Sequence, residues 1–192
     1  MKPWMRRYAM HFALVLALLT GCAVPPKTNT APDLFPNAMI AEPIQMRQGY
    51  THITQPFEIT SKDQAWEVSL GFVRREEVLP YSRLRCLVRS RLSQDRYTTV
   101  DGKKCVDDEP GIHARWELLN ARGDILRSRE FDNLIQSGPS QWSKASITIA
   151  LGGYSDLPVG AGRLRLTILR DFPELDAATP YVLIDKPFFR RR

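Results

Sequence analysis

Apolar and polar residues alternate with a period of two over much of the chain after residue 51. In AWEVSLGFVRR, every second residue from Trp66 to Phe72 is apolar, while Glu67, Ser69 and Gly71 lie between them. Successive side chains of a β-strand point to opposite faces, so this alternation is typical of a strand with one buried face. The preceding segment QPFEIT predicts a paired strand, with SKDQ as the turn.

The same alternation returns in later segments. A hairpin is predicted around NARGD, where Gly123 provides conformational freedom and a second strand returns from Ile125. With no long amphipathic helix in view, the pattern predicts an all-β fold, an antiparallel Ig-like or jelly-roll-type sandwich of about seven strands over residues 51–187. The predicted inward-facing residues are Trp66, Val68, Leu70, Phe72, Ile112, Ala114, Trp116, Leu118, Ile147, Ile149, Leu151, Leu164, Leu166 and Ile168.

The segment PYSRLRCLVRSRLSQDR, residues 80–96, fits two structures. As a strand it would place Leu84, Cys86, Val88 and Leu92 on one face; as a helix it would group three of these with an aromatic residue at 81. The alternation favours a strand, whereas Pro80 and the leucine and arginine content favour a short helix near 80–92. Both alternatives remain open at this point.

The N-terminus has the pattern of an export signal. Lys2, Arg6 and Arg7 precede an apolar run from Ala9 to Thr20, with no acidic residue in this segment. A transmembrane helix needs roughly 20 apolar residues, and this run is shorter and ends in small residues. Residues 1–21 are therefore predicted to be a signal peptide that is removed on export.

The end of this signal, Leu19-Thr20-Gly21-Cys22, resembles the lipobox of bacterial lipoproteins. The resemblance implies cleavage before Cys22 and acylation of its sulfur and new amine, with the membrane as partner of the acyl chains; the alternative is a secretory signal with a chance cysteine. Two or three chains anchor a protein firmly, at about 0.8 kcal/mol per buried methylene. Ala23 stands where aspartate often retains enteric lipoproteins at the inner membrane, which favours a periplasm-facing outer-membrane anchor.

Residues 22–50 are predicted to be a tether between this anchor and the domain. Residues 23–43 hold five prolines and no clean periodicity, and proline cannot donate to a strand ladder. At the other end, residues 188–192, FFRRR, form a basic tail that fits contact with a membrane surface or a frayed terminus.

Two cysteines besides Cys22, namely Cys86 and Cys105, fall in a chain that is predicted to reach an oxidising compartment. A disulfide between them would close a loop of about 20 residues and stabilise the fold by roughly 3 kcal/mol. A reactive thiol or metal ligation is the alternative. His52 and His113 are the histidines of the mature chain, and they make a poor zinc set with these two cysteines.

The net charge argues against a nucleic-acid partner. The whole chain carries +6, and removal of residues 1–21 takes away three positive charges and no negative one. A nucleic-acid reader would be expected to keep a concentrated basic stripe.

Three segments resemble an uncharacterised family of bacterial lipoproteins that carry a β-sandwich domain of unknown function. They are QPFEITSKDQAWEVSLGF, the hairpin around NARGD, and LPVGAGRLRLTILRDFPELDAATPYVLIDKP. The similarity covers roughly residues 52–187 and is most specific in its last third, although Leu164 stands where many relatives would have an aromatic residue. The resemblance implies the fold and the lipidation, and it brings no activity, cofactor or catalytic residue.

Motifs for catalysis or cofactor binding are not found in the sequence. No GxxxxGK[ST], GxGxxG or GxSxG pattern occurs, so no cofactor, metal or catalytic residue is predicted. His52 and His113 are weak general-base candidates without an identifiable partner. Paired acids of a glycosidase are a remote interpretation of Asp171 and Glu174 in RDFPEL. The acids Asp101, Asp107, Asp108 and Glu109 could in principle ligate calcium, but they lack EF-hand spacing.

A row of arginines remains as a candidate binding surface. If residues 80–96 form a strand, Arg83, Arg85, Arg89 and Arg91 share one face and would meet an anionic partner; a solvated outer face is the plainer interpretation. The function predicted is that of a non-enzymatic binding module in the cell envelope, with an unknown envelope or secreted protein as partner. The alternatives are an immunity lipoprotein that neutralises a periplasm-delivered toxin and, third, an envelope hydrolase.

Overall fold

The computed structural model describes residues 31–88, 99–100, 103–104, 111–132, 140–142, 145–185 and 188–189. Its helices are α1 (Ala31–Leu34), α2 (Tyr81–Val88) and α3 (Pro173–Asp176). Its strands are β1 (Ala38–Pro43), β2 (Thr51–Ile53), β3 (Phe57–Ile59), β4 (Gln64–Val73), β5 (Thr99–Val100), β6 (Lys103–Lys104), β7 (His113–Asn120), β8 (Ile125–Asp132), β9 (Ser140–Trp142), β10 (Ser146–Tyr154), β11 (Gly160–Ile168), β12 (Pro180–Asp185) and β13 (Phe188–Phe189).

Two antiparallel sheets make up the sandwich, which confirms the all-β prediction. The six-stranded sheet has the order β1-β12-β4-β10-β9, with β13 also paired to β4. The five-stranded sheet has the order β2-β11-β7-β8, with β3 also paired to β11. The short strands β5 and β6 pair with each other. Because the chain changes sheet several times, strands that are adjacent in space are often far apart in sequence.

The core between the sheets consists of the side chains that the alternation predicts. Every one of the predicted inward-facing residues is at most 2% exposed. Burial of a large apolar side chain stabilises a fold by about 1.5–3 kcal/mol, so this set supplies much of the driving force. Three aromatic rings pack together in one part of the core. The ring centres of Trp66 and Tyr154 lie 6.5 Å apart in a stacked arrangement, and those of Trp116 and Tyr154 lie 5.5 Å apart.

The described strands outnumber the predicted seven, in part because some ladders are interrupted. Strands β2 and β3 both pair with β11, and they are separated at Thr54–Pro56. Thr54 fills the gap: its N–H donates to the Leu164 carbonyl at 2.9 Å, and its Oγ1 accepts from the Leu164 N–H at 3.0 Å. Pro56 has no N–H to offer. Strand β13 likewise pairs with β4 beyond the stretch of β4 that β12 occupies.

The domain starts earlier than predicted, because residues 31–50 belong to the folded unit. Strand β1 pairs with β12, from Ala38 opposite Asp185 to Pro43 opposite Tyr181, and Phe35 is only 3% exposed. Residues 31–50, predicted to be part of the tether, therefore belong to the folded domain, and residues 22–30 lie outside the described part of the chain. Pro43 is the last residue of this edge strand, where a missing N–H is tolerated.

Residues 81–88 form helix α2, so the strand alternative for this segment is wrong. The Leu84 N–H donates to the Pro80 carbonyl at 2.9 Å, as in the first turn of a helix. Leu84, Leu87 and Val88 are buried, which is the i, i+3, i+4 spacing of one helix face. A strand would have turned Leu87 to the opposite side.

Candidate functional site

A polar cluster around His113 lies on the outer face of the five-stranded sheet. Strands β7 and β8 place His113 opposite Asp132, with Glu130 two residues before it on β8. His113 Nε2 lies 2.6 Å from Glu130 Oε1, and Nδ1 lies 3.9 Å from Asp132 Oδ2. The imidazole, 23% exposed, is thus held between two carboxylates on the same face of the sheet.

Arg170 forms an ion pair with one of these carboxylates, that of Asp132. Its Nη2 donates to Asp132 Oδ2 at 3.0 Å, and its Nη1 donates to the Gly111 carbonyl at 2.8 Å. Asp132 therefore ties the end of β8 to the segment that follows β11. The sequence did not single out Glu130, Asp132 or Arg170. The turn at 121–124 fixes the register of the hairpin. With that register, the alternation of side chains would have placed Glu130 and Asp132 on the same face of the sheet as His113.

His52, the second candidate base, joins the margins of the two sheets. It lies on β2, the first strand of the five-stranded sheet, and its Nε2 is 2.5 Å from Glu42 Oε2 on β1, the first strand of the six-stranded sheet. The other oxygen of Glu42 accepts from the Gln55 N–H at 2.9 Å. His52 thus has a structural role at this side of the sandwich.

A third polar cluster lies on the outer face of the six-stranded sheet. The Ser69 hydroxyl lies within hydrogen-bond distance of two carboxylates, at 3.5 Å from Glu67 Oε1 and 3.3 Å from Asp185 Oδ2, and its one proton is shared between them. Burial, and next the charge of Asp185, raise the pKa of Glu67, against the hydrogen bond from Ser69. Burial raises the pKa of Asp185, again against that hydrogen bond. The two acids therefore hold a proton to higher pH than free carboxyl groups do.

The predicted arginine row does not form as a strand face, because residues 81–88 are helical. Arg83 donates from Nε and Nη2 to Glu174 Oε1 and Oε2, both at 2.7 Å. The Arg85 guanidinium lies 5.7 Å from the centre of the Tyr81 ring. Arg89 and Arg91 lie outside the described residues. Of the two described arginines in this row, Arg83 is thus already paired with Glu174 of the same chain.

The acids of RDFPEL, Asp171 and Glu174, both have partners elsewhere in the described chain. Asp171 Oδ1 accepts from the Gln48 N–H at 2.6 Å, and Glu174 pairs with Arg83. A little further along, Asp176 Oδ1 accepts from the Met46 N–H at 2.6 Å. These carboxylates attach the loop after β1 and helix α2 to the segment around α3.

The predicted lipidation site and the predicted disulfide involve residues beyond the described part of the chain. Cys22 and Cys105 lie outside it, as do the acids Asp101, Asp107, Asp108 and Glu109. Cys86 lies on α2 and takes part in a disulfide, and its pairing with Cys105 stays a prediction. In the described ranges, no group of three or more His, Cys, Asp or Glu side chains could hold a metal ion. Nor is any described helix long and apolar enough to span a membrane.

The fold places this chain in the class of antiparallel β-sandwich proteins. No protein-family model matches the chain, and no curated protein is similar enough to match it. Among solved structures, the chain is similar to the crystal structure of GEBA250068378 from Sulfurospirillum deleyianum. The TM-score is 0.51 with 15% sequence identity, over 80% of this chain and 98% of that one. At this identity the likeness concerns the fold alone.

Proposed function

We propose that this chain is a lipoprotein of the bacterial cell envelope, anchored by acyl chains on Cys22 at the periplasmic face of the outer membrane. We further propose that its sandwich domain binds a protein partner and has no enzymatic activity. The observation that carries the proposal is the sequence Leu19-Thr20-Gly21-Cys22 at the end of an export signal, with a folded unit beginning at Ala31.

The use of charged residues in the described domain supports a binding role over a catalytic one. Arg165 pairs with Glu117 at 2.6 Å, Arg83 with Glu174 at 2.7 Å, and Arg170 with Asp132 at 3.0 Å. Each pair joins segments that are far apart in sequence, so these charges hold the scaffold together. A rigid sandwich with exposed strand edges is a common platform for protein contacts.

The anchor is tested by acyl labelling of the full-length protein in a Gram-negative host. Wild type should incorporate labelled palmitate and fractionate with the outer membrane, and Cys22→Ser should lose the label. Ala23→Asp is the matched control, because it keeps the acyl cysteine and should move the protein to the inner membrane. Retention of label by Cys22→Ser would contradict the lipidation.

The binding role is tested by photo-crosslinking in intact cells of the source organism. A crosslinking residue is placed in turn at Ile53, Val78, Ser128 and Val159, each in an exposed part of a different segment. One envelope or secreted protein should be recovered repeatedly from at least one position, and less of it from the Cys22→Ser background. A secreted toxin as the recovered protein would favour the immunity alternative. Absence of any reproducible partner would contradict the binding role.

A further inference from the structure

Strand β8 forms one margin of the five-stranded sheet. It pairs with β7 along one side, and among the described residues no strand lies along its other side. The register shifts near Leu126, so Arg127–Phe131 is its regular stretch. Five of its eight residues are exposed. An exposed strand margin offers a row of N–H and C=O groups to which another strand can add.

Two arginines project from this strand on its inner side. Arg127 is opposite Leu118 and Arg129 is opposite Trp116, and both of these β7 residues are buried in the core. Residues opposite each other in a ladder share a face. The arginines therefore point from the margin of the sheet toward the space beside the six-stranded sheet, and they remain exposed.

Gly152 on β10 makes room for the guanidinium of Arg129. A Cβ atom on Gly152 would come within 2.6 Å of Arg129 Nη1 and 2.9 Å of its Cδ. Gly152 has φ +140°, which side chains rarely allow, and it lies at a register shift of β10. The backbone of the facing sheet is thus shaped to receive this arginine.

The charges of these arginines are not compensated within the described part of the chain. No Asp or Glu there forms a salt bridge with Arg127 or Arg129. Arg127 donates from Nη1 to the Leu126 carbonyl at 2.9 Å, while Glu130 projects from the other face and pairs with His113. The inner side of β8 therefore presents two arginines whose Cα atoms lie roughly 7 Å apart, the i, i+2 spacing of a strand.

We propose that β8 binds an extended acidic segment of the partner protein as an additional strand. Carboxylates at alternate positions of that segment would face Arg127 and Arg129, and its backbone would pair with the side of Arg127–Phe131 that faces away from β7. This inference rests on the proposed binding function and specifies the chemistry of the partner. Main-chain hydrogen bonds give such strand addition its affinity, and alternate side chains give it specificity.

The same charges disfavour a second copy of this chain as the occupant. If two copies paired antiparallel about Ser128, Arg127 of one copy would lie opposite Arg129 of the other. Like charges opposite each other destabilise a strand pair, and inward-pointing charges are a known protection of exposed edges against self-association. An acidic strand replaces this repulsion with attraction.

The test uses the processed full-length protein in uncharged detergent and a fluorescent peptide of alternating Thr and Glu, matched in length to β8. The peptide should bind, and the variant Arg127→Glu/Arg129→Glu should bind it at least about tenfold more weakly. Arg127→Gln/Arg129→Gln, a gentler change, should give a smaller loss. The control is Arg115→Glu/Arg163→Glu, which reverses two exposed charges on the outer face of the same sheet and should bind like wild type.

A second peptide separates strand addition from charge attraction. N-methylation of alternate peptide residues removes backbone donors and should abolish binding, and a Thr-Lys peptide should not bind. Equal binding of the N-methylated peptide, equal loss in the Arg115/Arg163 control, or no binding by wild type would each overturn the inference. If partner crosslinks form at Ile53, Val78 or Val159 and not at Ser128, this inference fails while the binding function stands.

Discussion

The guanidinium of Arg83 binds both carboxylate oxygens of Glu174 at 2.7 Å, and this contact joins helix α2 to helix α3. The hydrogen bonds from Arg83 hold the pKa of Glu174 below its usual value. The two side chains are 35% and 45% exposed, so solvent screens the pair. We expect Arg83→Ala to lower the free energy of unfolding by about 0.5–1 kcal/mol at neutral pH.

The pH dependence of that loss follows from the lowered pKa of Glu174. The ionised carboxylate stabilises the fold above the ordinary pKa of 4.5, and this contribution disappears as the pH falls through the lower folded-state pKa. Urea unfolding of wild type and Arg83→Ala should therefore differ at pH 7 and converge in acid. Arg163→Ala, an exposed arginine without a salt bridge in the described residues, is the control. A pH-independent difference would contradict the assigned partner.

Phe35 covers Gly71 on the outer face of the six-stranded sheet. A Cβ atom on Gly71 would come within 2.6 Å of the Phe35 ring and 2.9 Å of Leu183. We expect Gly71→Ala to destabilise the protein by about 1–3 kcal/mol, and by clearly less in a Phe35→Leu background. Thermal unfolding of the two single variants and the double variant measures this coupling. Additive effects would mean that residues before β1 do not pack on this sheet.

The neighbouring acids Glu67 and Asp185 should contribute more to the stability of the fold in acid than at neutral pH. Their pKa values are raised in the folded state, so their contribution to stability is present below the unfolded-state pKa and is lost as the pH rises through the folded-state pKa. Glu67→Gln should therefore stabilise the fold at pH 7, on the order of 0.5 kcal/mol given its partial exposure. This gain should vanish near pH 4.

The control for this experiment is Glu58→Gln, an exposed acid on β3. It should leave stability within about 0.5 kcal/mol at both pH values. If Glu67→Gln destabilises the protein at pH 7, its ionised form makes a favourable contact that burial does not outweigh.

The disulfide predicted from the sequence should join Cys86 to Cys105. The chain has three cysteines, so acylation of Cys22 leaves this pair. Peptide mapping of periplasmic material without reductant should recover the linked peptides. Cys86→Ser and Cys105→Ser should each cost about 2–4 kcal/mol, and the double variant should cost no more than either alone. A free thiol at Cys105 in wild type would contradict the pairing.

The sequence predicted the parts of the fold whose pattern is strong. Alternation in β4 located Trp66 and Phe72 in the core because one face of that strand is fully apolar. It missed β1, where Ile40 is the only fully buried residue of the strand, because an edge strand is held mainly by backbone pairing. It did not decide between helix and strand for α2, because Leu84 and Val88 fit the spacing of either structure. The burial of Leu87, which only a helix explains, distinguishes the two.

The ion pairs in the polar clusters could not be predicted from the sequence, because their partners lie on different strands or segments. Arg83 and Glu174 are 91 residues apart in sequence, and His52 meets Glu42 across two sheets. Such pairs depend on how strands are ordered in space, and alternation along one strand carries no information on that order. The single histidines could be named from the sequence, but their carboxylate partners required the topology.

The inclusion of residues 31–50 in the fold limits where the domain can work. Eight residues, 23–30, separate Cys22 from Ala31, and a fully extended chain advances at most about 3.5 Å per residue. A protein acylated at Cys22 could therefore hold the start of its sandwich no more than about 30 Å from its own bilayer. If the domain binds a partner as proposed, that partner would have to come close to the same membrane surface to be bound.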